Sequence, residues 1–458
     1  MATTHGGLPV GSLDAGRSYL CLGPPMVGKE ALLWDLLSPT ADGAAVAVLT
    51  ETDPETFFAA VEDPDDRVRV VDCTSKLRGV DPADDGERVR RVSSPADLTG
   101  IAIYVSEFVE AFDDRGLTVR VGLDCLTTLS TYVTADRLVK LLHKVVQMTS
   151  VTGGTFVATL HTNTLETEVL ETVGTVFDGR IQIQEGHDGP ILRVDGPGAE
   201  PTEWVPFDVD HPEGSSVPSD GDVSGPSVDS LGELVDRVED ERLTLTVHNY
   251  DGDLGELRSS FDRLNVDVET VRTTAVPDGV CILHRDDEFL AAEGVDALLS
   301  SISFDGPRGA GGDSALMSVA QRGTVGASGV DKATMVRASR SFEELAYRHG
   351  NGRLHAGFQR LSVFTRDDHV QRIYDRIARA GVETHIYGAP DDTVDHDSLA
   401  VHGTDEREIR ETWFVVYQGA TAAGALVAEE RDHGHFTGFW TYRVPIVASA
   451  VEYVESAY

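Results

Sequence analysis

Apolar residues in the first two hundred positions come in short continuous runs. YLCLG, AVAVLT, VRVVDC, VRVGLDCL and GGTFVATLH are rich in Val, Leu and Ala and carry little charge. Between them, EALLWDLL, PETFFAAVE, LTGIAIYVSEFVEAF and ADRLVKLLHKVVQMTS place apolar residues at helical spacing. Continuous β-branched runs separated by helices predict a mainly parallel sheet covered on both faces, since strands buried on both sides have no polar face to show. After the fifth run, GRIQIQEGHDGPILRVDG reads as a hairpin turning through His187–Pro190, so the sheet is expected to end in antiparallel strands.

From Val228 the pattern changes. SLGELVDRVEDERLTLTVHN and LGELRSSFDRLNVDVETVR each read as helix then strand, the second turning at Asn265, and GVCILHRDDEFLAA reads as a hairpin about Arg285. ATMVRASRSFEELAYRHGNGRLHAGFQRL reads as helical with a break at Gly350–Gly352. VQRIYDRIARAGVETHIYG is a helix–strand unit, ETWFVVYQG and GALVAEERD are strands, and FTGFWTY leads into a closing helix with Pro445 near its start. The expected fold class is α/β: a mainly parallel sheet with helices on both faces, then a mixed α/β domain. The segment Phe207–Pro226, FDVDHPEGSSVPSDGDVSGP, is dense in Asp, Ser, Gly and Pro and reads as a flexible acidic linker. It divides the chain into a domain at 1–206, the linker at 207–226 and a domain at 227–458. A second stretch, Asp305–Gly329, reads as a loop-rich connection.

The 458 residues suit two or three domains, and 41% apolar content is enough for packed cores. The formal net charge is −39, and only five of 38 basic residues are Lys: Lys29, Lys76, Lys140, Lys144 and Lys332. Scarce Lys with carboxylates along the whole chain matches a high-salt cytoplasm, where the Debye length falls to about 3 Å near 1 M and self-repulsion is screened. An acidic protein that avoids nucleic acid would show the same balance; on either reading there is no basic stripe to hold DNA or RNA. Cys21, Cys73, Cys125 and Cys281 form no CxxC pair, and three lie in apolar runs, so buried free thiols in a reducing cytosol are expected. MATTHGGLPV lacks an apolar signal core, and no apolar run approaches the ~20 residues of a membrane span. A soluble cytoplasmic chain with no membrane partner is expected.

Candidate chemistry begins in LCLGPPMVGKEALLWDLL. Gly23, Pro24, Pro25, Met26, Val27, Gly28 and Lys29 match the phosphate-loop pattern G-x-x-x-x-G-K, but Glu30 stands where a Ser or Thr is usual. Strand, glycine loop and helix together let backbone amides and a helix N-terminus face a phosphate while a Lys reaches its terminal oxygens. The alternative is a Gly/Pro turn that only joins strand to helix. Lys29 sits where this chain elsewhere prefers Arg, which suits a compact point charge. A hydroxyl at position 30 would ligate Mg²⁺. Glu30 instead adds negative charge, which weakens a triphosphate unless a cation intervenes, and it equally suits the first turn of any helix. Asp124 closes the run VRVGL, where an acid beside such a loop orients Mg²⁺ through water; capping of the strand end is the plain alternative. Glu51 and Asp53 follow AVAVLT as catalytic candidates that could polarise a water, while Thr52 or Asp53 could instead cap the PETFFAAV helix.

In order and spacing, GGLPVGS, LCLGPPMVGKE, VLTETDPETF, VGLDCLTTLSTYV and VFDGRIQI resemble the RecA/KaiC-type ATPase core over roughly residues 1–205. They resemble more closely the degenerate RecA-like domain of the HTR-like proteins of halophilic archaea. The resemblance implies a nucleotide site at Gly23–Glu30 with Asp124 and ATP as its ligand. Mg²⁺ handling is compromised, because Glu30 departs from the pattern and the usual pair of acids after the second strand is not evident. It also implies assembly into homo-oligomers through nucleotide sites, although no arginine finger is identifiable. HAGFQRLSVF, THIYGAPD, ETWFVVYQ, ALVAEE and FTGFWTY, with SLGELVDRVEDERLTLTVHN and CILHRDDEFLAA, resemble the DICT sensory domain over about residues 226–458. That resemblance implies a sensory role and assigns no ligand or catalytic residue.

His355, Phe358, Gln359, Tyr387, Trp413 and Trp440 could line a sensory pocket; core packing of the large aromatics is the alternative. His349, His433 and His435 match no standard metal spacing, and Asp391, Asp392 and Asp395 read as solvated. Three functions follow. One is a signalling protein that pairs a degenerate nucleotide-binding domain with a sensory domain and acts on a signalling protein partner. Another is an active RecA/KaiC-type ATPase, weak in hydrolysis, with a regulatory C-terminal domain. A scaffold that binds neither ligand is the third.

Overall fold

The structure is a computed structural model, which describes residues 13–40, 42–61, 63, 66–78, 86–162, 167–186, 189–196, 201–207, 225–261, 264–286, 288–302, 314–320, 324–432 and 435–458. The chain forms two compact units. The first runs through β1 (Ser18–Gly23), α1 (Lys29–Leu37), β2 (Gly43–Leu49), α2 (Pro54–Ala60), β3 (Val68–Asp72), β4 (Val89–Arg91), α3 (Leu98–Asp113) and β5 (Thr118–Leu123). It continues with α4 (Leu126–Tyr132), α5 (Ala135–Val151), β6 (Thr155–His161), α6 (Thr167–Gly174), β7 (Gly179–Glu185), β8 (Pro190–Asp195) and β9 (Val205–Pro206).

These strands make one nine-stranded sheet in the order β4-β3-β2-β5-β6-β1-β7-β8-β9. β1 to β7 pair in parallel, and β8 and β9 close the edge antiparallel. Every residue of β1, β2 and β6 is buried, which is why their apolar runs do not alternate with polar positions. On one face, Leu32, Leu33, Trp34 and Leu37 of α1 join Ala45, Ala47 and Val157 in a single core. Gly122 permits this approach, because a Cβ there would lie 2.6 Å from Leu37 Cδ1. On the other face, α3 and α5 pack on β5, whose Val119, Val121 and Leu123 are buried. The connection leaving β1 crosses toward β2, whereas the one leaving β6 crosses past β1 to β7. The carboxyl ends of β1 and β6 therefore flank the reversal in strand order, where open α/β sheets form their ligand crevice.

The chain continues with α7 (Leu231–Asp240), β10 (Leu243–His248), α8 (Gly255–Phe261), β11 (Val266–Val271), β12 (Val280–Arg285), β13 (Glu288–Gly294), α9 (Val295–Ile302), α10 (Ala315–Ala320), β14 (Thr324–Asp331) and α11 (Lys332–His349). Then follow β15 (Arg353–Arg360), α12 (Leu361–Thr365), α13 (Asp368–Arg379), β16 (Glu383–Ala389), β17 (Ala400–Gly403), α14 (Arg407–Glu411), β18 (Thr412–Gln418), β19 (Ala423–Asp432), β20 (His435–Thr441) and α15 (Val444–Ala457). A four-stranded sheet has the order β11-β10-β12-β13, and a seven-stranded sheet has the order β14-β20-β19-β18-β15-β16-β17. Apolar residues of α7 and α15, among them Leu234, Val447 and Val451, pack on Phe414, Val416, Val427 and Phe439 of the larger sheet.

Two stretches correct the sequence reading. RLHAGFQR, expected to resume a helix, is β15, an interior strand of the seven-stranded sheet, paired with β16 and β18. Gly350 and Gly352, at φ 59 and 81, end α11, and long-range pairing then overrides the local helical character of the run. Within the stretch expected to be loop-rich, the described residues after Ser314 lie in α10 and in β14, an edge strand that pairs with β20. Its glycines hide the apolar alternation by which a strand is recognised. Most of the expected linker (208–224), the GGLPVGS segment, His187 and Asp188 of the hairpin turn, and His433 lie outside the described residues.

All four cysteines are free and buried, as expected. Burial pushes the Cys21 and Cys281 thiols up to about 12 and holds Cys73 well above its ordinary value. Among the described residues no helix is long and apolar enough to cross a membrane. The close pairing of β19 with β20 is testable. A Cβ at Gly438 would press on the Val427 carbonyl oxygen and lie 2.5 Å from Ala428 Cα. Gly438→Val is expected to cost about 1–3 kcal/mol through the backbone shift it forces, read as a lower urea midpoint; an unchanged midpoint contradicts the pairing.

Candidate functional site

The residues between β1 and α1 fold into a tight turn at the carboxyl edge of the first sheet. Gly28 caps α1 in the left-handed region (φ 85), and Met26 also has positive φ (59), a strained state for a residue with a Cβ. Gly23 eases the close approach, since a Cβ would lie 3.1 Å from Ile183 and from Val27 Cγ2. Pro25, Met26 and Val27 are buried, and Val27 belongs to the core under α1. Lys29 is 5% exposed, and its ammonium donates to the Pro24 carbonyl at the other end of the turn. A desolvated ammonium requires such an acceptor. Glu30 is half-buried and accepts a 2.7 Å hydrogen bond from the Thr52 hydroxyl. The residue that replaces the usual hydroxyl thus clamps this turn to the segment after β2.

Asp124 follows β5 and is 2% exposed. Its carboxylate accepts from the amides of Thr50 (2.7 Å), Glu51 (3.1 Å) and Thr52 (3.2 Å) and from the Thr50 hydroxyl (2.5 Å). Each oxygen is thereby engaged twice, and the side chain fastens the exit of β2 to the exit of β5. Glu51 and Asp53, the two acids after β2, take different roles. Asp53 caps α2, accepting from the Thr56 amide and hydroxyl, both at 2.9 Å. Glu51 is 5% exposed and accepts from the Thr128 hydroxyl.

Two residues that sequence reasoning did not single out lie beside Glu51. Potential donor atoms of Glu51, Cys125 and His161 lie within 4.8 Å of one another, and all three residues are buried. The His161 amide donates to Thr127 Oγ1 at 3.0 Å. The sequence marks Cys125 only as a buried thiol and His161 only as the last residue of a strand. The available signal is that both lie at the ends of apolar runs of a parallel sheet, the same position that Asp124 occupies.

In the second unit the six proposed pocket residues do not converge. His355 and Tyr387 are fully buried and share a 3.0 Å hydrogen bond through His355 Nδ1, and His355 Nε2 lies 3.4 Å from Glu455 of α15. The His355 and His385 rings stack at 4.6 Å, and His385 Nδ1 lies 3.0 Å from His402 Nε2. Trp413 instead donates to Ser339 of α11 at 3.0 Å, and Phe358 packs edge-on against Phe364 and Tyr374 of α12 and α13. Gln359 donates to Glu430 at 3.3 Å, and Trp440 is buried at 3% exposure. Successive strand residues point to opposite faces, so the set is divided by the sheet. The large aromatics pack as core. Asp391 and Asp392 are exposed and accept from Ser362 and Thr365.

Residues 16–183 match the model of a family described as a family of unknown function (DUF7504). Residues 314–431 match the model of DICT, described as a sensory domain in diguanylate cyclases and two-component systems. Among solved structures, the chain is similar to a KaiC-like protein from the hyperthermophilic archaeon Pyrococcus horikoshii OT3, at 12% identity, TM-score 0.33, over 42% of this chain and 86% of that one. It is also similar to the flagellar accessory protein FlaH from Methanocaldococcus jannaschii, at 13% identity, TM-score 0.29, over 40% and 80% of the two chains. A third is an uncharacterized Pyrococcus horikoshii protein in complex with an unknown peptide, at 12% identity, TM-score 0.33, over 40% and 85%. No curated protein sequence matches the chain.

Two predictions follow from these contacts. Asp124→Ala strands three buried amides and is expected to cost on the order of 3 kcal/mol, against about 1 kcal/mol for removing the helix cap in Asp53→Ala. Urea midpoints in molar KCl measure both; equal losses would show that Asp124 fastens nothing. His355 is held well below the ordinary histidine range, at about 3, first by burial and then by the positive charge of His385, Arg353 and His402. The Glu455 carboxylate, 35% exposed, does not reverse this. The unfolded chain takes up this proton as pH falls through 6.5, whereas the folded protein does so only near 3. Stability is therefore lost as pH drops across that window, and His355→Gln should flatten the dependence of the urea midpoint on pH there. An identical slope in the variant would refute this.

Proposed function

We propose that this chain is a signal-transduction protein in which a degenerate RecA-like nucleotide-binding unit is paired with a sensory unit of the DICT type. It works in a salt-rich cytoplasm and passes its signal to a protein partner. The DICT match over residues 314–431 carries the sensory part of the reading. The nucleotide part is supported by the glycine turn between β1 and α1, which lies at the reversal of strand order with Lys29 gathered into it. Degeneracy is supported by Glu30, which is spent on Thr52, and by Asp124, which is spent on the backbone after β2. For ATP to bind, Lys29 must exchange the Pro24 carbonyl for phosphate oxygens, and the terminal phosphates must tolerate the Glu30 charge. Both requirements lower affinity, and the second disfavours a bound Mg²⁺. An active ATPase with a regulatory second unit is the competing reading, favoured by the buried position of Glu51 at the end of β2.

ATP binding by calorimetry and phosphate release, both in molar KCl, separate these possibilities. Wild type is expected to bind ATP without turnover, and Lys29→Ala is expected to bind at least about tenfold more weakly, the equivalent of 1.4 kcal/mol. Turnover that Lys29→Ala abolishes would establish the ATPase reading instead. Absence of ATP binding in wild type would remove the nucleotide part altogether.

A further inference from the structure

The carboxyl ends of β2, β5 and β6 deliver a carboxylate, a thiol and an imidazole to one buried point. We infer that Glu51, Cys125 and His161 form a site for a single divalent transition-metal ion of the zinc type. The inference stands apart from nucleotide binding and holds whether or not the glycine turn takes a phosphate.

The donor set carries the argument. One sulfur, one nitrogen and one oxygen make a borderline-soft set that suits Zn²⁺ or Co²⁺; Mg²⁺ takes oxygen ligands only. With metal–ligand bonds of about 2.0–2.3 Å, tetrahedral coordination places donors roughly 3.4–3.7 Å apart. The donors lie within 4.8 Å of one another, so binding would require them to draw in to that range. The backbone is already rigid at this point, because Val48 pairs with Leu123, Leu123 with Ala158, and Gly23 with His161 in the parallel ladders.

The surroundings are those of a supported ligand set. Thr128 donates to the Glu51 carboxylate, Thr127 Oγ1 accepts from the His161 amide, and Asp124 holds the Glu51 amide. Such outer contacts orient ligands and tune their basicity. Three protein ligands leave one position for water or another oxygen ligand. His161 pairs with Gly23, so the His161 strand end lies beside the start of the glycine turn.

The test uses the full chain in molar KCl under reducing conditions, stripped by chelator and titrated with Co²⁺ alone. One equivalent is expected to bind with tetrahedral visible bands and a near-ultraviolet thiolate-to-cobalt band. That band should vanish in Cys125→Ser and persist in Cys21→Ser. Affinity for Co²⁺ should fall in both Cys125→Ser and His161→Gln by more than the roughly 100-fold that loss of an outer-shell partner costs. X-ray absorption of the Zn²⁺-loaded wild type needs no variant to fold, and it should report one sulfur at about 2.3 Å with the remaining ligands at about 2.0–2.2 Å. A sulfur-free shell, octahedral bands only, a band retained in Cys125→Ser, or no stoichiometric binding would each overturn the site; the first two would mark ions held on the acidic surface.

Discussion

The hydrogen bonds gathered by the Asp124 carboxylate set the geometry of everything at the edge of the first sheet. Three consecutive amides and a hydroxyl from the segment after β2 converge on a side chain with almost no exposure. A buried carboxylate is tolerated only when it is satisfied in this way. The consequence is positional. β2 and β5 are neighbours, so their exits are locked together and the Glu51 backbone amide is tied to Asp124. Glu51 is held where β5 and β6 deliver Cys125 and His161.

The turn between β1 and α1 is organised on the same principle. Its charged residues are directed to protein partners: Lys29 to the Pro24 carbonyl, Glu30 to the Thr52 hydroxyl. A turn of this kind is complete without a ligand, and any anion entering it competes with contacts already made. A metal at the ends of β2, β5 and β6 would stand beside this turn and alter the field in which an anion is bound.

In the second unit the same kind of sheet constraint works against a pocket. His355, His385 and His402 occupy adjacent strands, and their rings lie against one another and against Tyr387. Trp413 and Phe358 are turned to the other face, toward α11, α12 and α13. The larger sheet is filled by its own aromatics on both sides. His355 and His402 resist charging, because burial first and then the charge of neighbouring imidazoles oppose a proton.

Local pattern alone determined much of this protein. Continuous apolar runs such as AVAVLT and GGTFVATLH specified buried parallel strands, because a strand covered on both faces has no polar positions to alternate. The glycine turn, its Lys29 and the misfit of Glu30 were also legible, since a turn of this kind is encoded within eight residues. Tertiary structure alone decided the rest. RLHAGFQR became a strand because β16 and β18 offered it partners far away in sequence. Asp53 and Glu51, two residues apart, were separated into a helix cap and a buried ligand candidate by which of them faced Asp124 and Thr128. Cys125 and His161 carried no motif, for their meaning arises only where strand ends from distant parts of the chain are brought side by side.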